Sequence, residues 1–244
     1  MKVGTDGTLL GAMVSMHARR ASAKCKVLDV GTGSGLVALM LAQRYEEAEI
    51  DAIDIDEGAV EQARENFAAS PWGERLHAHK ARVQEWRADE DEDVDEDSLY
   101  DLVVSNPPYF QNSLKNPDKG REMARHTDSL SYEELVVNSR RLLREGGCLW
   151  LILPAEAEEE ILRLAAIHDF RAEKIVYIHP KPEKPAKRVV LQLAANPRST
   201  HGGPTDDPRK DHGADCTEKM TFYIESAHSP RSEEYAELTK DFYL

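Results

Sequence analysis

The stretch "KVLDVGTGSGLVALMLAQRY", Lys26 to Tyr45, limits the choice of fold more than any other. A short β-type apolar run stops at a glycine, and a strongly apolar helical run starts just beyond. Gly31, Gly33 and Gly35 lie between the two, where glycine permits a tight turn and lets a ligand approach the backbone. The pattern then repeats. "EIDAIDID" reads as a strand, "EGAVEQARENFAA" as a helix, "RLHAHKARVQEW" as holding a weaker strand and "YDLVVSN" as a fourth. "SYEELVVNSRRLLREGG" reads as a helix with a glycine stop, followed by a fifth strand, "CLWLILP". Strand and helix in alternation imply α/β architecture, a parallel sheet with helices on both faces.

Before this unit, residues 6–19 read as a helix capped by Thr5 or Asp6. After it come a helix, "EAEEEILRLAAIH", and the β runs "AEKIVYIHP", "KRVVLQLAA" and "MTFYIES", then a terminal helix, "SEEYAELTKDFY". One domain over residues 1–244 is expected, with mobile insertions at 88–98 and 197–217. The first insertion holds the acidic run "DEDEDVDED", read as a solvated loop; the net charge of −14 is high for a nucleic-acid binder. No apolar run reaches the ~20 residues of a membrane span, and no signal peptide opens the chain. Cys25, Cys148 and Cys216 are too scattered for a metal spacing or a disulfide framework, so a reduced, cytoplasmic protein without metal is expected.

Two motifs carry chemistry. A G-x-G-x-x-A pattern from Gly33 to Ala38 leaves a dinucleotide fold open, and Asp54 could bind ribose hydroxyls in either case. Asp29 favours S-adenosylmethionine, because a carboxylate there repels a pyrophosphate but accepts hydrogen bonds from an ammonium. The second motif is "NPPY", Asn106, Pro107, Pro108 and Tyr109, at the end of the fourth strand. Parallel strands share a C-terminal edge, so this motif points at the glycine turn. The Asn106 side-chain oxygen and the Pro107 carbonyl could accept both hydrogens of an exocyclic amino group. The prolines stiffen the acceptors, and Tyr109 offers a face for stacking.

Together, "DVGTGSG" and "NPPY" resemble the amino-group methyltransferases that use S-adenosylmethionine. The opening "MKVGTDGTLLGA", with "SPWGERL", "REMARHT", "RVVLQ" and the tail "SEEYAELTKDFYL", resembles the bacterial tRNA1(Val) adenine N6-methyltransferase family. That resemblance implies a Rossmann-like, seven-stranded, mostly parallel sheet with an antiparallel final hairpin. It implies S-adenosylmethionine as cofactor, tRNA as substrate and Asn106 to Tyr109 as the catalytic motif. It adds Lys2, Gly4, Thr5 and Asp6 to Asp29, Gly31, Gly33, Gly35, Asp54 and Asn106 as cofactor-site residues. Relatives carry a segment before this opening, so part of a cofactor lid or RNA surface is expected to be missing. Arg82 stands where relatives often have an acid near the cofactor adenine; a guanidinium cannot accept amino hydrogens. Basic residues that suit phosphate contacts are Lys115, Lys119, Arg121 and Arg125, then Lys184, Lys187 and Arg188. Two alternatives stay open: a protein glutamine N5-methyltransferase, whose amide fits the same acceptors, and a non-catalytic S-adenosylmethionine-binding RNA module.

Overall fold

The computed structural model describes residues 4–16, 25–87, 98–108, 130–197, 217–226 and 229–242. Eight strands form one sheet: β1 (Cys25–Val30), β2 (Ala48–Asp54), β3 (Leu76–Lys80), β4 (Tyr100–Ser105), β5 (Leu143–Pro154), β6 (Phe170–His179), β7 (Arg188–Ala195) and β8 (Glu218–Tyr223). Their spatial order is β3-β2-β1-β4-β5-β7-β6-β8. β7 pairs antiparallel with both β5 and β6, whereas every other pairing is parallel. The resemblance implied seven strands. The eighth arises because Glu218–Tyr223 adds in parallel to β6 at the sheet edge.

Among the described residues six α-helices flank the sheet: α1 (Thr5–Met13), α2 (Leu36–Arg44), α3 (Glu57–Ala68), α4 (Tyr132–Leu142), α5 (Glu158–Ile167) and α6 (Glu233–Thr239). Successive strand residues face opposite ways, so the sheet carries a core on each side. On one side Val27, Ile50, Leu102 and Trp150 pack with Leu9, Leu41, Phe67 and Tyr235, from α1, α2, α3 and α6. On the other, Leu28, Ile53, Val103 and Leu149 pack with Leu135 and Ile161, from α4 and α5.

Three boundaries differ from expectation. α1 ends at Met13, and its N-cap is Gly4, with no side-chain cap from Thr5 or Asp6. The Asp6 carboxylate is drawn elsewhere, as described below. The glycine pair after α4 is no helix stop, since Leu143 to Gly147 already belong to β5. The sharp start of α4 comes from a reciprocal box. The Ser131 hydroxyl accepts from the Glu134 backbone, and the Glu134 carboxylate accepts from the Ser131 backbone. The expected insertions fall almost wholly outside the described residues. Among the described residues, no helix is long and apolar enough to cross a membrane. No group of three or more His, Cys, Asp or Glu among them could hold a metal ion.

Candidate active site

Strand register assembles the site. Val30 pairs with Ile53 on one side and Ser105 on the other. Gly31, Asp54 and Asn106 each follow one residue later, so they share the C-terminal edge. β1 and β4 flank the point where strand order reverses, the usual place for a ligand crevice in such sheets. The Ser105 hydroxyl donates to the Val30 carbonyl at 2.8 Å and ties the two strand ends together. A cavity of about 320 Å³ opens there. Its walls include Gly31, Gly33, Asp54, Ile55, Arg82, Val83, Gln84, Asn106, Pro108 and Leu130.

The glycine turn is held by backbone. Gly31 and Thr32 N–H groups donate to the Ile53 carbonyl at 2.9 and 3.1 Å. The Gly33 N–H donates to Asp54 Oδ2 at 2.9 Å, and the Asp56 N–H donates to Asp54 Oδ1 at 3.0 Å. Gly31 adopts φ +72°, and a Cβ there would meet nothing within 4 Å, so the missing side chain leaves open space. Gly35, at φ +82°, is closed in: a Cβ would lie 2.4 Å from the Phe67 ring.

Asp29 sits beneath this turn and is not part of the cavity wall. It is 2% exposed, and its Oδ2 accepts from the Thr32 hydroxyl at 2.7 Å. Burial pushes its carboxyl up to about 7, against hydrogen bonds from Thr32 and the Ala38 backbone that pull it down. Within the motif at the end of β4, Pro107 is buried, while Asn106 and Pro108 reach the cavity. α1 packs beside Asn106, since a Cβ on Gly7 would stand 3.9 Å from Asn106 Nδ2.

Other expected site residues are placed differently. Gly4 and Thr5 lie at the exposed start of α1 and are not among the residues that line the cavity. The Asp6 carboxylate accepts from Arg188 Nε at 2.8 Å, so two residues expected to meet different ligands meet each other. Lys184 and Lys187 are exposed on the connection from β6 to β7. That connection lies at the same sheet edge as the cavity, because β6 ends and β7 begins there. Lys2, Tyr109, Lys115, Lys119, Arg121 and Arg125 lie outside the described residues. Ile55, Val83, Gln84 and Leu130 were not anticipated as cavity residues. Ile55 carries one signal, an isoleucine among acids directly after the strand's last aspartate, and it is 48% exposed.

A glycine turn after β1, an acid ending β2 and an Asn-Pro-Pro turn after β4, on a doubly wound sheet with one reversed strand, define a methyltransferase-type fold and site. Solved structures agree on the fold. A predicted O-methyltransferase from Agrobacterium tumefaciens superposes with a TM-score of 0.69 over 97% of this chain and 96% of its own, at 19% identity. A 16S rRNA N2 G1207 methyltransferase from T. thermophilus, in complex with AdoMet and guanosine, gives 0.53 over 80% of this chain and 44% of its own, at 21% identity. A family model described as the methyltransferase small domain matches residues 7–169. Proteins named tRNA1(Val) (adenine(37)-N6)-methyltransferase from Parabacteroides distasonis and Phocaeicola vulgatus are 42% and 41% identical, over 100% of this chain and 91% of theirs. The chain belongs to the methyltransferase small-domain family and, within it, to the family of these tRNA1(Val) adenine N6-methyltransferases.

Proposed function

We propose that this enzyme methylates the exocyclic N6 of an adenine in tRNA1(Val), 3′ of the anticodon, using S-adenosylmethionine. The observation that carries the chemistry is the register that sets Asn106 one residue beyond Ser105, against the glycine turn one residue beyond Val30.

The cavity suits a nucleoside. Asp54 can accept ribose hydroxyl hydrogens. Ile53, Ile55, Ala81 and Val83 offer apolar surface to a flat base. The open space at Gly31 lets a ligand lie on the backbone. Asp29 and Gly35 act by shaping the turn, and α1, which packs beside Asn106 at Gly7, borders the site. When bound, S-adenosylmethionine supplies an electrophilic methyl carbon on a sulfonium. The protein positions the acceptor. Asn106 Oδ1 and the Pro107 carbonyl accept the two amino hydrogens and keep nitrogen lone-pair density available. Buried Pro107 fixes that pair in advance, and Tyr109 supplies the stacking face. Lys184 and Lys187, with Lys115, Lys119, Arg121 and Arg125, contact RNA phosphates. Arg188 belongs to this basic rim but spends its Nε on Asp6. A tRNA substrate and the buried thiols of Cys25 and Cys148 fit a cytoplasmic enzyme.

Transcribed tRNA1(Val) incubated with methyl-labelled cofactor gains N6-methyladenosine next to the anticodon. Label found only on a release-factor glutamine overturns the reading. Asn106→Ala lowers turnover by about 100- to 1,000-fold, the typical effect of removing one preorganised polar group, while cofactor binding stays within a few-fold. Unchanged turnover removes Asn106 from the mechanism.

A further inference from the structure

Resting on that reading of the cavity, we propose that Arg141 is a positioning residue for the cofactor, acting through the turn at residues 82–87. This turn is part of no strand or α-helix, yet Arg82, Val83 and Gln84 form one wall of the cavity. It is a single helical turn, in which the Glu85 and Trp86 N–H groups both donate to the Arg82 carbonyl at 3.0 Å. It closes at Arg87, which adopts the left-handed φ of 54°. One turn of helix leaves its last carbonyls without partners of their own. The Arg141 guanidinium supplies them. Its Nη2 donates to the Val83 and Trp86 carbonyls at 3.2 and 2.9 Å, and its Nη1 donates to the Arg87 carbonyl at 3.2 Å. A cation at the carbonyl end also opposes the local dipole.

Seven residues earlier on the same face of α4, Glu134 holds the other side of the turn. Its carboxylate takes a hydrogen bond from the Gln84 side chain besides those from Ser131, and Arg82 is close enough to be felt electrostatically. The ends of the segment are fixed by the sheet. The Ala81 N–H donates to the Asp54 carbonyl at 3.0 Å, and Trp86 Nε1 donates to the Tyr100 hydroxyl at 3.0 Å. The middle, which forms the cavity wall, packs Val83 into the core beside the sheet and makes long-range hydrogen bonds with Arg141 and Glu134 of α4. Arg141 is exposed at the surface and 54 to 58 residues away from the carbonyls it binds. It is not among the residues that line the cavity.

The test uses the full chain and two variants, Arg141→Ala and Glu134→Gln. Binding of S-adenosylhomocysteine is measured by calorimetry, which needs no methyl acceptor. Amide exchange of the 81–87 segment is measured without ligand, and cofactor KM and kcat are measured on a tRNA1(Val) transcript. Arg141→Ala is expected to weaken S-adenosylhomocysteine binding and raise cofactor KM together, by about three- to tenfold, from the usual worth of hydrogen bonds to a charged donor. kcat at saturating cofactor and KM for tRNA should stay within twofold, while exchange in 81–87 accelerates. Glu134→Gln should shift the same quantities less. Unchanged binding with unchanged exchange overturns the proposal, and so does a fall in kcat at constant cofactor KM. If Arg141→Ala does not fold, Glu134→Gln carries the test with the same readouts. Failure of the wild-type chain to bind S-adenosylhomocysteine would instead overturn the reading of the cavity itself.

Discussion

The two walls of the cavity are built by opposite means. The wall after β1 is made of local backbone: three glycines at positive φ, N–H groups donating to Ile53, and one nearby carboxylate. The wall after β3 is made of side chains reaching in from distant parts of the chain. Arg141 and Glu134 grip it from α4, and Tyr100 accepts from Trp86. A wall of the first kind tolerates changes in its neighbours but few changes in its own residues. A wall of the second kind tolerates changes in its own sequence but depends on partners elsewhere.

The largest test of this contrast concerns the carboxylate buried under the glycine wall. Burial raises Asp29 to about 7, above its value in an unfolded chain, so the native state binds the extra proton across the interval between the two. Stability from this group is fully present below about pH 4 and is lost as pH rises through about 7, on the order of 4 kcal/mol in total. Urea unfolding at a series of pH values should show that slope in the wild-type chain and not in Asp29→Asn. Parallel profiles would mean that the carboxylate is better solvated than its surroundings imply.

Gly35→Ala comes next. The added Cβ meets the Phe67 ring at 2.4 Å in a backbone conformation that alanine resists. The expected loss is about 3 kcal/mol, read as a lower urea midpoint. On the other wall, Tyr100→Phe removes the donor to Asp51 Oδ2 at 2.6 Å and the acceptor for Trp86 Nε1. A loss of about 1–2 kcal/mol is expected, with cofactor affinity falling alongside it. A stability loss with full cofactor affinity would separate this network from the wall. The smallest effect belongs to the Asp6–Arg188 pair, which is only partly buried. A double-mutant cycle with Asp6→Asn and Arg188→Gln should give a coupling of about 0.5–1 kcal/mol.

What was legible in the sequence follows the same division. The strands, the glycine turn, Asp54 and the Asn-Pro-Pro turn could be read because each is encoded within a few residues. Their convergence could be read because parallel strands share an edge. Asp6 was misplaced for a physical reason: an acid at a helix start looks like a cap, and its partner Arg188 lies 182 residues away. The glycine pair at 146–147 looked like a helix stop, yet Gly146 takes φ +64° inside β5, where β4 and β5 shift register. The strand count came out at eight because the eight β runs in the chain are a better guide here than the resemblance. The 82–87 turn offered no periodicity to read, and Arg141 looks like an ordinary surface arginine until the carbonyls it serves are seen.

The one reversed strand has a consequence for how this scaffold could diversify. A parallel crossover would carry the chain to the far edge of the sheet, whereas reversing β7 keeps both ends of the 180–187 segment at the sheet edge that carries the cavity. The match to the wider small-domain family ends at residue 169, before this hairpin, whereas the tRNA1(Val) relatives align through it, so the hairpin belongs to the narrower family. Evolution or a protein engineer can therefore exchange that segment to suit a different methyl acceptor without disturbing the nucleoside half. In that respect the hairpin is an interchangeable nozzle fitted to a fixed barrel.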